Sequence, residues 1–144
     1  MAQRTVTFYN VDSPVGAGSP NLPDDVALVR YLLRRIGEAP DNTVAALAHL
    51  PIGTTYGPDL PVAILAFQQE VRRRGGNCAT DSKVNPAKGI GHGVTSAITG
   101  TQYTIAHMNS TFRRRYPQQH DDIASDPRCP AILAAKFATQ SHGY

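Results

Sequence analysis

Histidine, cysteine, serine and paired acidic side chains are the groups in this 144-residue chain that could support acid–base, nucleophilic or metal chemistry. The five histidines are scattered, and no pair has the i, i+4 spacing with a neighbouring acid that builds a zinc-binding helix. Cys78 has no histidine nearby in sequence, and Ser96 and Ser110 lack the flanking glycines of a nucleophile elbow. The His120 to Asp122 stretch is polar, which favours a solvated loop over a pair of catalytic carboxylates. We therefore predict a protein that is not an enzyme and has no metal site and no cofactor.

Arginine clusters are the other groups that could bind a ligand, and each lies near the C-terminal end of a predicted helix. They are Arg34-Arg35, Arg72-Arg73-Arg74 and Arg113-Arg114-Arg115. The negative end of a helix dipole stabilises cations, so these positions need no ligand to explain them. Their alternative role is to bind phosphate or carboxylate groups through guanidinium forks. An anionic polymer becomes credible if all three clusters share one face, but aromatic residues that could stack on bases are sparse, so nucleic acid is not expected.

The central helix is predicted over Tyr56 to Val71, the stretch that best indicates how the chain is organised. Asp59 can accept hydrogen bonds from the first free amides, Pro61 suits a first turn, and Gly75-Gly76 marks the end. Four apolar residues then recur at helical spacing and predict a face turned toward a core; they are Leu60, Ile64, Phe67 and Val71.

Other helices flank this one and predict a mainly α fold with long loops. Asn21 can cap a first helix that ends at Gly37, with its arginines, including Arg30, outside or toward the C-terminal end. Its predicted inner residues are Val26, Val29, Leu32, Leu33 and Ile36. A short helix is expected within residues 43–50, another from Thr101 to Pro117, and a last one after a polar linker over residues 118–126, with Ile132, Leu133 and Phe137 facing inward. A short strand over residues 3–10 precedes them.

Composition favours one folded domain over residues 1–144. This length permits a real core, and the 17% of charged residues is too low for a disordered chain. A net charge of +3 favours anionic surroundings without identifying a partner. Cys78 and Cys129 could form one disulfide or remain two buried thiols. No apolar run reaches the ~20 residues of a transmembrane helix, and no classical secretory signal is seen. We expect either export by a signal-independent route to the periplasm or exterior, or a cytoplasmic stage before export.

Three segments together resemble the peptidoglycan-binding-domain-like fold, a three-helix module of bacterial cell-wall hydrolases and secreted proteins. They read VGAGSPN with DDVALVRYLLRRIG, then YGPDLPVAILAFQQEV, then TDSKVNP. The matching positions are Asn21, Asp25, Val26, Val29, Leu32, Gly57, Ala63, Ile64, Phe67, Gln68, Asp81, Val84 and Pro86. The resemblance covers about residues 15–109 and implies a compact three-helix core there, with residues 110–144 as a C-terminal helical extension.

The resemblance implies binding to cell-wall peptidoglycan, its sugars and stem peptides, through loop residues around the central helix. The candidate ligand-binding residues are Tyr56, Gln68, Asp81, Asn85 and Tyr103. Gln68 has a structural alternative, because its amide could instead hold a loop carbonyl in place. Thr54-Thr55-Tyr56 and Asp81-Ser82 stand where the family usually has Asp-Gly, in loops that shape the proposed groove.

Three functional classes follow from these observations. The first is non-catalytic wall binding, with arginines attracting muramyl-peptide carboxylates. The second is an adaptor or cargo module of a bacterial secretion system or phage-like particle, which keeps the fold without wall binding. The third is an enzyme that uses the C-terminal extension.

Overall fold

The computed structural model describes residues 8–87 and 103–138 and confirms a mainly α fold. The helices are α1 (Pro23–Gly37), α2 (Ala45–Ala48), α3 (Asp59–Arg73), α4 (Thr104–Arg115), α5 (Pro117–Asp121) and α6 (Ala131–Phe137), with a 3₁₀ turn at Ile123–Ser125 between the last two. One antiparallel β bridge pairs Val15 with Val84. Most of the strand predicted over residues 3–10 lies outside the described residues, and residues 8–10 are not in a strand.

Helix α1 is the element on which the others pack. Its predicted inner residues are buried, and Leu28 and Tyr31 are buried as well, so its apolar surface extends well beyond one stripe. Helices α2, α3, α4 and α6 all contact it. At Gly37 a side chain would meet the backbone of Leu47 within 2.6 Å, so only glycine allows α2 to approach this closely. The first helix, rather than the Tyr56 to Val71 stretch, therefore organises the described part of the fold.

Arg30 lies inside this packing, contrary to the prediction that it lies outside or toward the helix end. Its side chain is only 6% exposed and forms a two-point ion pair with Asp59, at 3.0 and 2.9 Å. It also donates to the backbone oxygens of Thr55 (2.9 Å) and Pro51 (3.2 Å). A buried guanidinium needs such partners, and here they fasten the 51–59 segment to α1.

A loop contact replaces one expected helix cap. Asn21 does not cap α1; its side chain instead bonds the amide and carbonyl of Gly16, at 2.8 and 2.9 Å, and closes the glycine-rich turn. Leu22 is the residue before α1 and makes no side-chain cap. At α3 the residue before the helix is Pro58, and the Asp59 carboxylate is bound by Arg30. Hydrogen bonding from Arg30 lowers the pKa of Asp59, and the amides of Asp59 and Leu60 at the start of the helix lower it further.

The C-terminal residues share the core with the rest of the chain. The predicted boundary at residue 110 falls inside α4, and Phe112, Ile123, Leu133 and Phe137 belong to one hydrophobic cluster with α1 and α3. The predicted polar linker over residues 118–126 instead contains α5 and the 3₁₀ turn, because His120 and Ile123 are buried. Ile132 was predicted to face inward, but it is 38% exposed.

None of the helices in the described part of the chain combines the length and the apolar character needed to cross a bilayer.

His120 lies in a buried polar cluster within this core. Its Nε2 is 3.0 Å from Asn109 Oδ1, which can only accept, so the proton is on Nε2. Asn109 in turn bonds both backbone groups of Tyr9, at 2.9 and 2.8 Å. Nδ1 of His120 is buried and has no hydrogen-bond partner among the described residues. Burial, followed by the charge of Arg113, lowers the pKa of His120 to about 4.

This lowered pKa predicts a loss of stability in mild acid. The folded protein keeps His120 neutral, whereas the unfolded chain takes up a proton near the ordinary value of 6.5, so protonation favours unfolding. From pH 7 to pH 5 the free energy of unfolding should fall by roughly 2 kcal/mol from this residue alone. Urea unfolding at the two pH values measures the change. His120→Gln keeps a donor for Asn109 but cannot titrate, so it should remove most of the difference; an unchanged difference would refute the assignment.

Candidate functional site

Gln68, the central residue among those predicted to bind a ligand, is completely buried. Its Nε2 lies 3.0 Å from Asp81 Oδ1, 3.0 Å from the Lys83 carbonyl and 2.9 Å from Thr104 Oγ1. Its Oε1 accepts from the Ser82 amide at 2.9 Å. Both ends of the Gln68 amide therefore hold the 81–83 loop against α3 and α4. This is the structural role that was the alternative to ligand binding for this residue.

The loop that Gln68 holds includes two further predicted residues. Asp81 accepts hydrogen bonds from Gln68 and, at 3.1 Å, from the Lys83 amide. Between them Ser82 has φ +60°, a left-handed conformation that serine seldom adopts without such support. Asn85 follows in the same loop and is exposed.

The other two predicted residues lie at different ends of α3. Tyr103 directly precedes Thr104 and is half-buried against the core, close to the Gln68 loop. Tyr56 is half-buried beside the start of α3. The helix rises about 14 Å from Asp59 to Gln68, so Tyr56 is separated from the other four. The structure brings Gln68, Asp81, Asn85 and Tyr103 to one region, but Tyr56 is not part of it.

A groove of about 240 Å³ opens elsewhere, between α3 and α4. We call it the α3–α4 groove. The two helices pack against α1 rather than along each other, and α2 also packs on α1 and α3. The floor of the groove is apolar and is formed by Ile36, Val44, Leu47, Phe67 and Val71.

The rim of the groove is polar and mainly basic. Glu70 of α3 and Arg74, which directly follows that helix, lie on the rim, and the residues that α4 supplies are His107, Ser110, Thr111, Arg114 and Arg115. Two of the three predicted arginine clusters thus contribute to one site. A basic rim over an apolar floor suits a ligand that carries both an anionic group and an apolar group.

Each rim arginine has a different set of partners. Arg74 Nε bonds Glu70 at 2.6 Å, and Arg73 bonds the same carboxylate at 2.7 Å. Arg115 is nine-tenths buried, with its Nη1 3.3 Å from the Ile36 carbonyl and its Nε 3.5 Å from Asp41. Hydrogen bonding from Arg73 lowers the pKa of Glu70 to about 2, so this carboxylate is charged at neutral pH.

The side chain of Arg114 is exposed and makes no hydrogen bond or ion pair with any residue in ranges 8–87 and 103–138. The groove therefore presents a guanidinium fork that is not already used by the described residues. Its net charge is positive, because Glu70 is outnumbered by Arg74, Arg114 and Arg115.

The third arginine cluster, Arg34-Arg35, lies at a separate charged network. Both residues bond Glu38, at 3.0 and 2.8 Å, and Arg128 binds the same carboxylate. Arg35 also stacks over the Tyr116 ring at 4.6 Å. These arginines stabilise the end of α1, and the three clusters do not converge on one face.

Two other groups carry nucleophilic or metal-ligating atoms. Cys78 and Cys129 are free thiols; burial raises the pKa of Cys78 and raises that of Cys129 to about 11, which disfavours the reactive thiolate. Asp12, Asp24 and Asp25 place carboxylate oxygens within 4.8 Å of one another. That acidic cluster already has a cation.

The cation is the ammonium of Lys136, which lies 2.8 Å from both Asp12 and Asp24. Asp25 accepts from the amides of Asp12 and Ser13, at 2.8 and 3.0 Å. The cluster thus joins the N-terminal segment, α1 and α6, and its geometry is explained without a metal ion.

Comparison with known proteins adds no relative: no protein-family model matches the chain, and no curated protein or solved structure does.

The α3–α4 groove was not predicted from the sequence, although a signal for it exists there. Its residues from α3 and the position directly after it are 67, 70, 71 and 74, and its α4 residues include positions 107, 110, 111 and 114. Both sets have the spacing i, i+3, i+4, i+7 of a single helical face. On α4 this face is mixed in polarity and lies beside the apolar stripe. On α3 it includes Phe67 and Val71, so the C-terminal half of the predicted apolar stripe lines the groove.

Substitution of Gln68 distinguishes a structural residue from a ligand-binding one. Gln68→Leu should lower the free energy of unfolding by about 2 to 3 kcal/mol, because Ser82, Lys83 and Thr104 lose buried hydrogen-bond partners. Urea unfolding gives the value, and Gln69→Leu is the matched control because Gln69 is exposed on the same helix. Equal stability of the two variants would show that Gln68 is not required by the loop.

Proposed function

We propose that this protein is a non-catalytic binding module for bacterial cell-wall peptidoglycan and that it takes stem peptides in the α3–α4 groove. The observation that carries the proposal is the guanidinium of Arg114, which has no partner among the described residues and lies on the rim of an apolar groove. Stem peptides are built from short apolar and acidic residues and carry free carboxylates, which is the combination that this groove complements.

The groove residues support holding an anion rather than attacking a bond. A guanidinium keeps its proton in proteins and is neither a nucleophile nor a base at neutral pH. His107 Nε2 lies 2.9 Å from the Asn77 carbonyl, so this ring is tied to the segment after α3. The resemblance to peptidoglycan-binding modules through the α1 and α3 motifs points in the same direction.

The proposed location differs from the predicted loop site. Gln68 and Asp81 are committed to internal hydrogen bonds, whereas Arg114 is free of them among the described residues. Asn85 and Tyr103 remain near the Gln68 loop and could add polar contacts to sugar hydroxyls. We nevertheless propose that the stem peptide makes its main contacts in the groove.

A second candidate is the adaptor or cargo module, in which a protein partner supplies the bound segment. The observation that favours it is the shape of the site, because a groove between two helices can receive an extended segment or a helix of another chain. The charge of the rim would then select an acidic segment or a chain terminus.

Co-sedimentation with purified insoluble peptidoglycan tests the wall proposal. The protein should appear in the pellet, and Arg114→Gln should weaken retention by about tenfold or more, because a charge-assisted contact to carboxylate is lost. Arg113→Gln is the matched control: it removes the same charge from the preceding residue of α4, which does not line the groove.

The outcomes separate the two candidates. Wild-type protein that stays in the supernatant would refute wall binding. Equal retention of Arg114→Gln and Arg113→Gln would place wall binding outside the groove. Specific recovery of one protein partner, lost in Arg114→Gln and kept in Arg113→Gln, together with no wall retention, would support the adaptor instead.

A further inference from the structure

We infer that the α3–α4 groove recognises the free carboxyl terminus of a peptide together with the apolar side chain of its last residue. This inference rests on the proposed function and narrows it, because it states which part of a stem peptide is bound. A peptide end differs from an interior segment in one respect that matters here, namely the charge of its terminal carboxylate.

The number of available cations favours a single carboxylate. Arg74 shares Glu70 with Arg73, and Arg115 is buried with Ile36 and Asp41 as partners. Arg114 alone among the rim arginines has its fork unoccupied by the described residues. A polyanion would need several such forks along its length, whereas one fork matches one carboxylate in a bidentate pair.

The size of the groove also favours a chain end. At about 240 Å³ it is smaller than the roughly 300–1,000 Å³ of sites that enclose drug-sized ligands. It therefore has room for a small part of a polymer, such as a terminal residue and the amide before it. The whole repeating unit of sugar and peptide would exceed that volume.

The polar and apolar groups of the groove fit the C-terminal residue of a peptide in one orientation. Thr111 lies three residues before Arg114 and Ser110 four, so both hydroxyls stand one turn away on the same side of α4. With the carboxylate at Arg114, these hydroxyls are placed to bond the preceding amide. The apolar floor, which includes Phe67 and Val71, receives the side chain.

A functional consequence follows for the cell wall. When stem peptides are cross-linked by transpeptidation, an amine of a neighbouring peptide displaces the last residue of the donor peptide. The free carboxylate leaves with that residue, and the donor end becomes an uncharged amide. The groove would therefore bind peptides with free ends and discriminate against donor ends that have been cross-linked. The discrimination arises because an uncharged amide cannot form the ion pair with the fork and presents hydrogen-bond donors to it.

Calorimetric titration of the full chain with two synthetic tripeptides tests this inference. One is N-acetyl-Ala-Ala-Ala with a free carboxyl group, and the other is the same peptide with a C-terminal amide. The free acid should bind about tenfold to hundredfold more tightly, since a charge-assisted bidentate contact is worth that factor. Arg114→Gln should remove the preference, and Arg113→Gln should retain it; circular dichroism confirms that both variants are folded.

Several results would overturn the inference: equal affinity for acid and amide, binding of neither peptide, or a preference for the acid that survives in Arg114→Gln. Failure of the proposed function looks different. If the free acid is preferred through Arg114 but insoluble peptidoglycan is not retained, recognition of a carboxyl terminus stands and the wall is not its source. If the wall is retained but acid and amide bind equally, wall binding stands and recognition of the free end is wrong.

Discussion

Burial of α1 is the constraint on which the rest of this structure depends. The helix is apolar over most of its circumference, so α2, α3, α4 and α6 all pack on it. The few polar side chains that are buried with it need hydrogen-bond partners, and each bonds a different segment. Asp25 accepts from the amides after Val11, and Arg30 donates to the 51–59 loop. Tyr31 donates to Asp126 at 2.5 Å. A single hydrophobic element thus determines both the helix packing and the course of the loops.

The groove is a consequence of that arrangement. Because α3 and α4 both use their apolar stripes against α1 and its neighbours, their adjoining faces are left only partly covered. Gly76 and His107, held by the bond to Asn77, close one end, while the last turn of α1 and α2 supply the base. Arginines gather there because Arg114 and Arg115 lie in the last turn of α4 and Arg74 directly follows α3, where the negative end of a helix dipole favours cations. The dipole explains why the cations are present; it does not provide a partner for the fork of Arg114.

Local signals in the sequence predicted most of the helices, and long-range contacts account for what they missed. Pro23, Gly37 and Gly75-Gly76 mark helix ends through their backbone chemistry, so α1 and α3 were placed closely. The partner of Arg30 is 29 residues away, and the bond between Asn109 and Tyr9 spans 100 residues. The burial of Arg30 and of Asn109 therefore could not be predicted from the residues adjacent to them in sequence. The candidate site was missed for the same reason, because long-range contacts bring its residues together. Gln68 was predicted as a ligand-binding residue with a structural alternative. Only the fold shows that the 81–83 loop uses its amide, and that α3 and α4 border a groove.

The central claim is that ligand binding occurs in the α3–α4 groove and not at the loops around α3. Chemical-shift mapping of the backbone amides tests this most directly, by titrating the isotope-labelled chain with soluble peptidoglycan fragments that carry free stem peptides. The account predicts that the largest shifts fall on α2, on the second half of α3 and on α4 around Thr111 and Arg114. Shifts concentrated instead at Tyr56, Asp81 and Asn85, with the groove residues unchanged, would contradict it.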